Sequence, residues 1–130
     1  MTTLQGIVQH LTPQIAAFVL KTGIVRLGPA PASSSGTPVR IVVDTGFTGG
    51  ISLPMLILQR LKLKFFAYVP YILADHRRVE IPTFDGYVII GRKRFATRYL
   101  PGQPLLGMEF MEAVFARLHV DFRGQRLRLG

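Results

Sequence analysis

Alternation between apolar and polar positions dominates the chain, in short β-favouring runs separated by turn residues, and helical periodicity is scarce. The pattern predicts strands over Leu4–Gln9, Ala16–Thr22, Val39–Val43, Phe65–Leu73, Val79–Phe84, Gly86–Ile90, Phe95–Leu100, Arg117–Phe122 and Gln125–Leu129. Two helices are expected among them. Pro54 has the fixed φ that suits a first helical turn and opens one over Met55–Leu63, while a short second helix falls near Met108–Ala113. Arg123-Gly124 and Gly91-Arg92-Lys93-Arg94 read as hairpin turns. Residues 28 to 38, rich in Pro, Ser, Gly and Ala, offer nothing to bury and read as a flexible surface loop. The predicted fold class is therefore mainly β, in one domain spanning residues 1 to 130.

Composition narrows the chemistry. With no cysteine, the chain has no disulfide framework, thiolate zinc site or cysteine nucleophile. The longest apolar runs, Ile15–Leu20 and Pro54–Leu58, fall far short of the roughly 20 residues of a membrane-spanning helix, so no membrane span is expected. The first residues lack a basic stretch followed by a long apolar one, which makes the cytoplasm the expected location. A formal charge of +9 raises the question of nucleic acid or acidic partners, but the basic residues are scattered over turns and solvated faces. Nucleic acid is accordingly not the expected partner. His10, His76 and His119 lack ligand spacing, and neither a metal nor a cofactor is expected.

Among seven acids, Asp44 stands apart. It ends the aliphatic run Ile41-Val42-Val43 and is followed by Thr45-Gly46-Phe47-Thr48-Gly49-Gly50. A carboxylate at the end of a buried strand is costly to desolvate unless hydrogen bonds compensate. Gly46 can turn sharply enough to bring a backbone N–H to it, and Thr45 adds a hydroxyl. A plain Asp-Thr-Gly turn is the simpler reading of these three residues. A phosphate-binding Gly-rich loop is disfavoured, because the loop carries no Lys and the chain is short for a nucleotide-binding fold.

Taken with its downstream landmarks, this segment resembles the active-site signature of single-domain, retropepsin-like aspartic proteases of the bacterial type. Ser52-Leu53-Pro54 and its helix, Leu73-Ala74-Asp75 near a flap hairpin, Leu105-Leu106-Gly107-Met108 and the closing hairpin from Val120 to Leu129 extend the resemblance over about residues 39 to 130. The resemblance implies an acid-protease fold, a closed or partly open β-barrel with one or two short helices. It also implies an aspartic endopeptidase acting on a peptide or protein substrate. Asp44 would be catalytic, and Thr45 and Gly46 would support the active-site loop. Phe47, Thr48, Ala74, Asp75 and His76 would border the cleft, while Leu105, Leu106 and Gly107 would pack beneath it.

Hydrolysis by carboxylates takes two of them, and the chain holds one Asp-Thr-Gly, so the second is expected from another copy in a two-fold homodimer. The expected flap tip, Asp75-His76-Arg77-Arg78, is bulky and charged where retroviral relatives are Gly-rich. That departure keeps open an alternative, a catalytically silent module of the same fold serving dimerisation or peptide binding.

Overall fold

The computed structural model describes residues 3–12, 15–20, 25–28, 41–73, 75–90 and 93–130. It is mainly β, as the alternation predicts. Elements in chain order are β1 (Leu4–Thr12), β2 (Ile15–Leu20), β3 (Val25–Gly28), β4 (Val42–Val43), β5 (Ile51–Leu53), α1 (Met55–Arg60), β6 (Lys64–Ile72), β7 (Arg78–Ile90), β8 (Lys93–Pro101), β9 (Leu105–Leu106), α2 (Met108–Val114), β10 (Leu118–Asp121) and β11 (Arg126–Leu129). They join in the order β10-β11-β1-β2-β4-β9-β5-β8-β7-β3, with β6 hydrogen-bonded to β7. This path does not return on itself among the described residues, as expected for a partly open barrel.

Most pairs are antiparallel, but β9 lies parallel to β4 and antiparallel to β5, and β5 lies parallel to β8. Thus a two-residue strand from late in the chain is threaded between the two strands that flank residues 44 to 50. Ile51, Leu53, Tyr99, Leu106 and Phe110 fill the core around this crossing. Leu106 is 1% exposed, and burying such a side chain contributes about 1.5–3 kcal/mol.

Several boundaries differ from the sequence reading for local reasons. The hairpin strand β7 runs unbroken through Gly86, where two strands were expected, because the missing Cβ makes room for the Tyr99 ring. A Cβ on Gly86 would lie 2.7 Å from that ring. The first helix stops at Arg60, with Leu61 as its cap, and Lys62 then takes a left-handed φ of 52°, so Leu63 is not helical. Gly28, expected in the surface loop, ends β3 and pairs with Tyr87, and residues 29 to 38 lie outside the described residues. The Arg123-Gly124 turn is present, with the Gly124 N–H donating to Asp121 Oδ1 at 2.9 Å. Gly91 and Arg92 are not described, but Ile90 pairs with Lys93 across them.

Candidate active site

Val42-Val43 pairs with Leu105-Leu106, and this ladder delivers Asp44 to the barrel's central crossing. The Asp44 N–H donates to the Leu106 carbonyl at 3.0 Å, which fixes the point where the strand ends. Its side chain is half-buried, and Oδ1 accepts the Gly46 N–H at 2.8 Å. The backbone then closes a turn, with the Phe47 N–H donating to the Asp44 carbonyl at 3.2 Å. The Gly46 bond is the one expected of a carboxylate followed two residues on by glycine. A carboxylate oxygen held by a backbone donor keeps one fixed orientation, leaving its other oxygen available for chemistry.

The loop is anchored on its far side by α2. Met108 and Glu109 donate their N–H groups to the carbonyls of Phe47 and Gly49 at 2.7 and 3.2 Å, and Gly107 donates to Gly50 at 2.7 Å. Such close approach explains Gly107: a Cβ there would overlap the Gly49 carbonyl oxygen and sit 2.7 Å from the Phe47 ring. Gly50 is equally constrained, since its Cβ would lie 2.6 Å from the Arg98 carbonyl.

The expected site residues therefore divide into two groups. Asp44 to Thr48 and Leu105 to Gly107 come together around the crossing, held by the bonds of Asp44, Phe47 and Gly107; Thr45, Gly46 and Thr48 are exposed, and Phe47 and Leu105 are half-buried. Asp75 and His76 sit instead at the exposed tip of the β6–β7 hairpin, and Ala74 lies outside the described residues. Their hydrogen bonds stay within the tip. Asp75 bonds the Arg77 backbone and guanidinium, and the His76 N–H donates to Leu73. No group of three His, Cys, Asp or Glu is placed to hold a metal ion among the described residues.

Among solved structures, the EIAV protease complexed with the inhibitor HBY-793 superposes on this chain with a TM-score of 0.57. The match covers 87% of this chain and 100% of that one at 19% sequence identity. The fold is retropepsin-like. No known family model matches the chain, and no curated protein sequence does. No helix among the described residues is long and apolar enough to cross a membrane.

Within this retropepsin-like frame, two residues emerge that the sequence did not single out. Tyr71, on the half-buried face of β6, has its phenol pushed above its usual range, first by burial and then by the Glu109 carboxylate, with Arg98 opposing. Its signal was the alternation Ala67, Val69, Tyr71, which marks the hairpin face turned inward. Ser52 is buried in β5, and its hydroxyl donates to the Gln103 carbonyl at 2.5 Å. Its neighbours in sequence hide this role, because the partner is 51 residues away.

Proposed function

We propose that the chain is an aspartic endopeptidase that works as a homodimer, with Asp44 from each copy forming one catalytic pair. The observation that carries this reading is the oriented Asp44 carboxylate, half-buried at the end of β4 beside an exposed Thr45-Gly46. The retropepsin-like fold supports it. Two carboxyl groups brought within hydrogen-bond distance share one proton. The ionised one takes a proton from water, the oxygen so freed attacks the peptide carbonyl, and the protonated partner gives its proton to the carbonyl oxygen. Collapse of the tetrahedral species breaks the C–N bond as the amine nitrogen takes the proton held by the first carboxyl, while the second carboxylate takes one from the tetrahedral hydroxyl. Any titration belongs to the pair. The β6–β7 hairpin would cover the bound peptide, with Tyr71 on its inner face.

The test is turnover of a peptide library between about pH 4 and 7 by wild type and Asp44→Asn. The reading predicts a loss of about 10²- to 10⁴-fold in the variant. Equal cleavage by both refutes it. The tip of the β6–β7 hairpin motivates a second reading. Arg77, Arg78 and His76 are all exposed there, and His76 holds a left-handed φ of 65°, so closure over a peptide differs from that by a Gly-rich tip. A silent dimerisation or peptide-binding module would show peptide affinity without Asp44-dependent turnover.

A further inference from the structure

Beside Thr45 the surface is hollowed into a groove of about 200 Å³ that runs from the site loop along α2 to the start of β10. Met111 and Phe115, both buried, form its floor, and the half-buried Met108 and Leu118 contribute its walls. Methionine side chains are flexible and polarisable, which suits a surface that adapts to a facing partner. Glu112 and Arg117 also line the groove, both exposed. Neither makes an ion pair among the described residues, in contrast to Arg77, Arg78, Arg98 and Arg126, each of which meets an acid.

A two-fold interface uses one patch twice, so a residue at one place on it meets a different residue of the same patch on the other copy. A patch carrying one unpaired acid and one unpaired base at the lining of an apolar groove can therefore be complementary to itself. Glu112 lies on α2 and Arg117 follows it by five positions at the entry to β10, so the two charges come from different elements of the patch. Thr45 ties this patch to the loop that would approach the axis. We infer that this groove is the contact surface for a second copy of the chain, with Glu112 of each copy paired to Arg117 of the other. The inference rests on the Asp44-pair reading, since it places the axis beside Thr45. It goes further in assigning the groove and the two charges that set the register. Apolar contact over Met108, Met111 and Leu118 supplies attraction, and the reciprocal ion pairs select the relative orientation.

Sedimentation equilibrium of the full chain tests this through a charge swap. Glu112→Arg alone and Arg117→Glu alone each set like charges together twice per dimer and are expected to raise the dimer dissociation constant about tenfold or more. The double variant restores opposite charges and is expected to return to within about threefold of wild type. Singles that dimerise like wild type, a double variant no tighter than the singles, or a wild-type chain that stays monomeric would each overturn the inference. Thermal melting of each variant reports folding, and where a reversal does not fold, Glu112→Gln replaces it. A measurable weakening is then expected, and unchanged dimerisation overturns the inference. Sedimentation does not depend on turnover. A swap that fails while Asp44→Asn abolishes cleavage faults the groove alone, whereas a successful swap with Asp44-independent cleavage faults the catalytic reading alone.

Discussion

The Asp44 loop and the tip of the β6–β7 hairpin are both turns between strands, yet they are held in opposite ways. Residues 44 to 50 are bonded to β9 and the start of α2 by four backbone hydrogen bonds, from Asp44 to Leu106, Gly107 to Gly50, Met108 to Phe47 and Glu109 to Gly49. The hairpin tip closes on itself, with Leu73 bonded to Arg77, His76 to Leu73 and Asp75 to the Arg77 guanidinium. One turn is tied by its backbone to the core and the other is a solvated end. A reacting carboxylate needs fixed placement, while an element that admits and covers a peptide has to move, so the contrast matches the two roles proposed.

Substitutions at either end break or sharpen this contrast. The largest effect is expected at the rigid end, where Asp44→Asn removes about 10²- to 10⁴-fold of turnover in a peptide-cleavage assay while leaving the melting temperature close to wild type. Next comes Gly107→Ala. Its Cβ would collide with the Gly49 carbonyl and the Phe47 ring, so denaturant unfolding should show a loss of about 1–3 kcal/mol, with turnover falling as the loop shifts.

A smaller loss is expected behind the site. Tyr99 is fully buried and donates to the Tyr87 carbonyl at 2.8 Å, so Tyr99→Phe should cost about 1 kcal/mol at neutral pH. Burial pushes the Tyr99 phenol above its ordinary value of 10.0. The stability this contributes is therefore complete below that value and declines as pH rises beyond it, because the unfolded chain loses the proton first. Unfolding curves at alkaline pH should fall less steeply for Tyr99→Phe than for wild type. The smallest effect belongs to the tip. Asp75→Asn breaks an ion pair whose side chains are 71% and 54% exposed, and melting should register at most about 1 kcal/mol.

What the sequence revealed follows the same division. The Asp44 turn was legible because its determinants are adjacent: an aliphatic run, an acid and a glycine whose N–H reaches back two residues. Long strands and the Asp121–Gly124 turn were legible for the same reason. The short strands β5 and β9 were not, since two or three residues carry no period and their partners are far away in sequence, as in the Ile51 to Leu106 pairing. The Asp85-Gly86 pair reads as a boundary between two strands, whereas β7 runs through it and Gly86 seats Tyr99. The groove along α2 was hidden because Thr45, Met111 and Leu118 meet only once β9 and α2 are in place.

The central claim is that the Asp44 loop is half of a site completed by a second copy. Its most direct test refolds wild-type and Asp44→Asn chains together in varied proportions, at a fixed total concentration that keeps the protein dimeric, and measures peptide cleavage. If both carboxylates are required, mixed dimers are inactive and cleavage falls with the square of the wild-type fraction, to about one quarter at equal mixing. A linear fall, to about one half at equal mixing, would mean that each chain works alone and would contradict the account.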